Sequence, residues 1–126
     1  MNIRSLNQND ISAIKLIHAR FFADEFEFPD FFHNFLCAFL VEDEVGNIIS
    51  AGGVKTITES IIITNKDVSV RTRYEALNKM LQASIYTCNR TNHDQLHAFI
   101  QDESWLHHLY KNGFRNTIGK SIVMDV

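Results

Sequence analysis

The residues best suited to recognise a charged ligand form an acidic, phenylalanine-rich segment near the N-terminus. Carboxylates and aromatic rings alternate over Asp24, Glu25, Phe26, Glu27 and Phe28. Carboxylates attract a cationic amine, and a phenyl face adds a cation–π contact to it, so the segment predicts an acceptor site for an amine. Two other interpretations stay open: the phenylalanines fill the core while the acids keep the segment soluble, or the segment forms a partner-binding surface.

The charges of the chain are divided unevenly between its halves. Residues 1–60 contain nine acids and four bases, whereas residues 61–126 contain eight bases and six acids, for a net charge of -3. A basic second half suits a phosphate-bearing cofactor, and an acidic first half suits a cationic acceptor. The chain is acidic and lacks a basic stripe with interleaved aromatic residues, which argues against nucleic-acid binding.

Histidine and cysteine spacing does not indicate a metal site. His107 and His108 would point about 100° apart on a helix, and no spacing resembles that of a zinc site. Cys37 and Cys88 stand alone in apolar surroundings without a Cys-x-x-Cys spacing, so we expect buried thiols in a reducing compartment rather than a disulfide. With no apolar run near the ~20 residues of a membrane span and no signal peptide, we expect a cytoplasmic protein.

The elements that position these residues follow from hydrophobic spacing, and 126 residues are expected to form a single domain, 1–126. In the first half, the pattern predicts a strand at 3–6, a helix over 11–21 capped by Asn9 or Asp10, a short helix after Pro29, and a hairpin of 37–41 and 48–54. In the second half, it predicts a strand over 60–70, a helix over 73–88, and a strand over 96–100. A helix over 104–112, capped by Asp102, and a last strand over 121–124 complete the order. This order, β-α-α-β-β-β-α-β-α-β, predicts an α/β fold with a mixed central sheet and helices on both faces.

The last predicted helix closes with a distinctive sequence, Leu109-Tyr110-Lys111-Asn112-Gly113-Phe114. Gly113 can adopt the left-handed conformation that ends a helix, and Phe114 then returns the chain toward the core. A helix that ends in Tyr-x-x-Gly-Phe before a final strand, within this order of elements, resembles the GNAT superfamily of N-acetyltransferases. The resemblance covers nearly the whole chain and implies a GNAT-like fold with acetyl-CoA as co-substrate.

The family binds the coenzyme A pyrophosphate with a Gln/Arg-x-x-Gly-x-Gly/Ala stretch at a helix start, where backbone N–H groups and the helix dipole favour an anion. The matching stretch runs from Arg73 to Leu81, with Ala76 and Asn78 in place of the glycines. The cofactor-binding residues implied by the resemblance are Val68, Val70, Arg71, Arg73, Tyr74, Glu75, Ala76, Leu77, Asn78 and Lys79. Glu75 adds a negative charge that Arg71, Arg73 and Lys79 offset.

The resemblance also implies the roles of catalytic residues. Tyr110 would protonate the departing thiolate, and the backbone N–H of Val68 would polarise the thioester carbonyl. The family's general-base position is occupied by Ile62, which cannot serve, so Thr64 and Glu59 are the remaining candidates. A purely structural Tyr110, packed on the sheet, is the competing interpretation. The family often has an asparagine at the position of Glu103.

Three functions compete at this point. The first is an N-acetyltransferase in which a small-molecule or peptide amine attacks acetyl-CoA directly, in a monomer or homodimer without a metal, nucleic acid or membrane. The second is a GNAT-fold binding or regulatory module without transferase activity, which Ala76, Asn78, Glu75 and the missing base favour. The third is an unrelated α/β interaction protein built around the phenylalanine-rich segment.

Overall fold

The computed structural model describes residues 1–100 and 103–126 and has a mixed α/β composition, with a three-stranded antiparallel sheet and three α-helices in that part of the chain. The elements are β1 (Asn2–Ser5), α1 (Ile11–Phe21), β2 (Phe35–Glu42), β3 (Ile48–Lys55), α2 (Val70–Arg90) and α3 (Leu106–Lys111), with single 3-10 turns at Gln8–Asp10 and Glu103–Trp105. The chain falls into two compact units: the first comprises Met1–Lys55 and Asp102–Val126, and the second comprises Thr56–Gln101.

The sheet of the first unit has the order β1-β2-β3, with both pairs antiparallel. The predicted hairpin is confirmed as β2 and β3. Its turn is organised by Asp43, whose Oδ1 accepts hydrogen bonds from the backbone N–H of Val45 at 3.0 Å and of Asn47 at 2.8 Å. Gly46 supplies the positive φ of 88° that the turn requires.

Arg4 ties β1 to the start of the first helix and to β2. Its guanidinium donates to both carboxylate oxygens of Asp10, at 2.8 and 2.9 Å, and to Glu42 Oε2 at 3.1 Å. Asp10 also accepts from the backbone N–H of Asn7, and the two residues form a capping box over the 3-10 turn that precedes α1. Asp10 is the N-cap residue of α1 as predicted, but its side chain bonds to Arg4 and Asn7 rather than to the helix.

The core of the first unit lies between α1, the segment before β2, and the sheet. Leu6, Ile14 and Phe31 are its buried centre, and Leu40 in β2 is fully buried. The half-buried residues that pack against this centre are Ile11, Phe28, Phe35, Ala38, Ile48 and Ala51. The helical spacing of Ile11 and Ile14 thus correctly predicted the buried face of α1.

The second unit is organised by α2, the helix predicted over 73–88. It buries Leu77, Leu81 and Cys88, which recur at four- and seven-residue spacing. The preceding segment is attached by a hydrogen bond between Cys88 Sγ and Thr58 Oγ1, at 3.4 Å, and by the Ser60–Ser84 hydroxyl pair, at 3.2 Å. The helix begins at Val70, three residues earlier than predicted, because Ser69 provides the N-cap.

The short helix predicted after Pro29 is wrong. Asp30 instead forms a turn, because its Oδ1 accepts from the N–H of Phe32 at 3.0 Å and its carbonyl accepts from the N–H of His33 at 3.2 Å. Asn34 then takes a positive φ of 57°, which no continuing right-handed helix permits. The chain therefore enters β2 directly.

The strands predicted over 60–70, 96–100 and 121–124 are also wrong within the described residues. The first two are reduced to a single parallel bridge between Glu59 and His97. An Asx turn, in which Asn65 Oδ1 accepts from the N–H of Asp67, ends any extension before the Ser69 cap. Residues 114–126 form no helix or strand, and Ile122 is 93% exposed, so the last segment has no strand neighbour to stabilise it. The predicted Asp102 cap lies outside the described residues.

Candidate functional site

The first turn of α2 concentrates positive charge and free backbone donors. The stretch Val70–Arg73 contains two arginines and no acid. Ser69 Oγ accepts from the N–H of Thr72 at 3.1 Å, and the Ser69 carbonyl accepts from the N–H of Arg73 at 3.0 Å. The N–H groups of Val70 and Arg71 have no carbonyl four residues earlier inside the helix, so they are the donors this end can offer an anion.

The donors predicted over 74–79 lie deeper in the helix than the resemblance requires. From Tyr74 onward, each backbone N–H faces a helical carbonyl four residues earlier. Ala76 and Asn78 therefore occupy the second and third turns, and Leu77 is buried as part of the apolar stripe. Val68 precedes the cap and is 38% exposed. The anion-facing end of the helix is thus formed by residues 70 and 71.

Two arginines of this turn have different surroundings. Arg71 Nε donates to Glu75 Oε1 at 3.1 Å across one helical turn, so the negative charge of Glu75 is paired with Arg71. Both side chains are exposed. Arg73 is half-buried, and its Nε is buried without a hydrogen-bond partner among the described residues. An unsatisfied buried donor costs about 1–3 kcal/mol, but this atom is closed to solvent and to any ligand in this structure. The parts of this turn that fit a phosphate group are the N–H groups of Val70 and Arg71 and the exposed Arg71 guanidinium.

Tyr110 lies in the last turn of α3, and its helix ends as predicted at Gly113. Gly113 has a φ of 93°, and its N–H bonds to the Tyr110 carbonyl, while the N–H of Phe114 bonds to the Leu109 carbonyl. These two bonds form a Schellman motif. The Tyr110 hydroxyl is on the surface and donates to Asn116 Oδ1 at 2.6 Å. Asn116 could not be predicted as a partner of Tyr110, because the contact depends on the turn after Gly113.

The general-base candidates lie in the irregular part of the second unit. Glu59 is exposed and takes part in the bridge with His97, whereas Ile62 and Thr64 are half-buried. Glu103 begins the single 3-10 turn before α3. A base therefore stays unassigned.

The acidic aromatic segment is a turn that leaves its carboxylates in solvent. Asp24, Glu25 and Glu27 are exposed, and none of them forms an ion pair within the described residues. The two rings differ: Phe26 is 46% exposed, whereas Phe28 packs against the core and has Lys15 Nζ 5.6 Å from its centroid. The ring of Phe26 is thus exposed enough to contact an acceptor amine, whereas the ring of Phe28 packs against the core and beside Lys15.

The sequence predicts no metal site within residues 1–100 and 103–126. In these residues no group of three or more His, Cys, Asp or Glu side chains is placed to hold a metal ion. Both cysteines are free; Cys88 is buried as predicted, whereas the prediction is wrong for Cys37, which is exposed in β2. None of the helices described there has the length and apolar character needed to cross a bilayer.

Comparison with protein-family models, with curated proteins and with solved structures found no match for this chain. Three regions of the chain bear on its function: the first turn of α2, the end of α3 around Tyr110, and the acidic segment 24–28. The first region belongs to the second unit, and the other two belong to the first unit.

Proposed function

We propose that this chain is a GNAT-like N-acetyltransferase that transfers an acetyl group from acetyl-CoA to a primary amine. The observation that carries the proposal is the first turn of α2, where a serine-capped helix start and two arginines favour an anion. The described residues contain the order β1-α1-β2-β3 followed by a long helix, as in the proposed fold, but they form neither its second helix nor its strand before α2.

In this proposal the coenzyme A pyrophosphate accepts hydrogen bonds from the backbone N–H groups of Val70 and Arg71 and is attracted by the exposed Arg71 guanidinium. A guanidinium about 5 Å from a phosphate contributes roughly 1–3 kcal/mol at effective dielectric constants between 80 and 20. Lys79 lies on the exposed surface of the same helix and adds a weaker, screened attraction. Acetyl-CoA is a co-substrate, consumed in each turnover.

The proposed reaction is a direct attack without a covalent enzyme intermediate. The neutral amine nitrogen bonds to the thioester carbon, the carbonyl oxygen carries the negative charge of the tetrahedral intermediate, the nitrogen releases its surplus proton to solvent water, and the carbon–sulfur bond then breaks. The resemblance assigns the stabilisation of the oxyanion to the N–H of Val68, in the second unit, and the protonation of the leaving thiolate to the hydroxyl of Tyr110, in the first unit. The Tyr110 hydroxyl then regains its proton from water. The bond to Asn116 orients that hydroxyl before the reaction and must be released when the proton moves.

The acceptor in this proposal is a small-molecule or peptide amine, and the carboxylates of Asp24, Glu25 and Glu27 attract its positive charge. Phe26 offers an exposed ring face beside them. We assign the protein to the cytoplasm, since Cys37 and Cys88 as free thiols suit a reducing compartment. A monomer or a homodimer serves the proposed reaction equally.

Calorimetric titration with acetyl-CoA tests the binding step. Arg73→Met removes the charge with little loss of volume and is expected to weaken binding by about fivefold to a hundredfold. Arg90→Met, at the opposite end of α2, is the matched control and leaves the affinity unchanged. Glu75→Gln releases Arg71 and removes a repelling charge, so it is expected to tighten binding. Absence of heat at millimolar acetyl-CoA would refute the proposal.

A second candidate is a GNAT-fold binding or regulatory module without transferase activity. Two observations favour it: the Tyr110 hydroxyl is already bonded to Asn116, and the N–H groups of Ala76 and Asn78 are inside the helix. Tyr110→Phe separates the two functions. The transferase is expected to lose about a hundredfold or more of its turnover, measured as thiol release, whereas Tyr86→Phe as control keeps it. A module would retain its biological activity in both variants.

A further inference from the structure

His18, in the last turn of α1, contacts a segment eight to ten residues further along the chain. Its Nε2 lies 2.7 Å from the carbonyl oxygen of Phe26. A carbonyl oxygen only accepts, so Nε2 carries the proton and donates it to this bond. The imidazole also meets the rings of Phe26 and Phe28 edge to face, with centroid distances of 5.1 and 5.5 Å.

The segment 22–28 depends on these contacts for its attachment. The N–H of Phe22 bonds to the His18 carbonyl, and the N–H groups of Glu25 and Phe26 both bond to the Phe22 carbonyl, which closes the turn on itself. Within the described residues, the hydrogen bonds from this segment to the rest of its unit therefore end on His18. Phe28 adds an apolar contact to the core at the far end of the segment.

The exposed carboxylates are carried by this turn and have no attachment of their own. Asp24 and Glu25 lie between Phe22 and Phe26, and Glu27 lies between the two rings that His18 contacts. Lys15, one helical turn before His18, faces the ring of Phe28 and not the carboxylates. The position of the three acids therefore follows from the position of the Phe26 backbone, which His18 fixes.

We propose that His18 is a positioning residue, which holds segment 22–28 on α1 and thereby sets the arrangement of carboxylates that a cationic amine meets. This inference rests on the proposed function for its consequence in catalysis, but not for the attachment itself. Without the Nε2 donor, the segment keeps the bond from the Phe22 N–H to the backbone carbonyl of residue 18 but loses its second hydrogen bond to α1, at Phe26, so the internal bonds of the turn open more often. The acids then occupy a wider range of positions, and a polycationic acceptor binds them less tightly.

The test compares His18→Leu, which has no donor, with His18→Gln, whose amide can still donate to the Phe26 carbonyl. Loss of one hydrogen bond is expected to raise amide hydrogen exchange over residues 22–28 by roughly five- to tenfold in His18→Leu, with exchange near that of the unmodified protein in His18→Gln. His107→Leu makes the same chemical change on α3 and is expected to leave this segment unaltered. Circular dichroism of each variant checks that it is folded.

The kinetic part uses spermidine as the probe amine and acetyl-CoA as donor. His18→Leu is expected to raise the KM for spermidine by roughly fivefold with kcat and acetyl-CoA affinity unchanged, and His18→Gln is expected to restore it. Unchanged exchange in His18→Leu, or raised exchange with an unchanged KM, would overturn the positioning role. If the unmodified protein transfers no acetyl group to any amine, the proposed function fails, and the exchange experiment still decides whether His18 holds the segment.

Discussion

Replacing Asp10 with asparagine removes a buried charge that joins β1 to the beginning of α1. The Arg4 guanidinium and the backbone N–H of Asn7 hold the pKa of the Asp10 carboxyl at about 2, against its ordinary value of 3.8. Each pKa unit corresponds to about 1.36 kcal/mol, so the difference amounts to about 2.4 kcal/mol at neutral pH. Because the Arg4 side chain is 35% exposed, solvent screening reduces the expected contribution to about 1–2 kcal/mol.

The sign of the pH dependence follows from the lowered pKa. The carboxylate stabilises the folded protein fully above pH 3.8, and this contribution is lost as pH falls through 3.8 toward 2. Urea unfolding of the unmodified protein and of Asp10→Asn is therefore expected to differ by about 1–2 kcal/mol at pH 7 and to converge near pH 2. Asp94→Asn, an exposed acid of the second unit, is the control and is expected to change little.

Two outcomes of this comparison would contradict the role assigned to the Asp10 charge. A difference between the unmodified protein and Asp10→Asn that stays constant from pH 7 to pH 2 would show that the effect arises from shape or capping and not from the charge. No difference at pH 7 would contradict the ion pair altogether.

Three further predictions concern backbone geometry and are measured by thermal or urea unfolding. A Cβ at Gly53 would collide with the Cys37 carbonyl oxygen, whereas one at Gly52 meets nothing within 4 Å. Gly53→Ala is therefore expected to lower the unfolding free energy by about 1–3 kcal/mol more than Gly52→Ala. Equal effects of the two substitutions would refute the close approach of the strands at Gly53. Gly113→Ala forces a φ of 93° on a residue with a side chain, at an expected cost of about 1–2 kcal/mol, and a neutral result would argue against the Schellman motif. Ser69→Ala removes the cap of α2 and is expected to cost about 1 kcal/mol, which Ser69→Asp should recover.

Sequence reasoning succeeded where the determining interactions are local. The β2–β3 hairpin, the apolar stripes of α1 and α2, and the helix end at Gly113 all depend on residues within a few positions of one another, and the structure confirms them. Ser69 caps α2 because its hydroxyl accepts from the N–H three residues later, but the apolar spacing predicts a start only near Arg73 and places Ser69 in the strand over 60–70. The anion-facing donors were consequently predicted too far along the helix.

The predicted strands that failed needed partners that local sequence does not specify. Ile61, Ile63 and Ile122 have strong strand propensity, yet propensity measures how well a side chain packs on a neighbouring strand, and these residues have none in the described chain. The contacts of Tyr110 with Asn116 and of His18 with Phe26 were missed for a related reason. Each depends on a turn whose path is fixed by backbone geometry and not by residue type.

The division of the chain into units has a consequence for the order in which the protein is made. The first unit is discontinuous, because Thr56–Gln101 intervenes between Met1–Lys55 and Asp102–Val126. During synthesis the second unit emerges whole, while the first still lacks its C-terminal portion. The buried centre of the first unit, Leu6, Ile14 and Phe31, lies wholly in its N-terminal portion, so the sheet and α1 can pack before residues 103–126 are added. Tyr110 would be the last of the proposed functional residues to be added, so a nascent chain interrupted after α2 would carry the anion-binding turn without the proton donor.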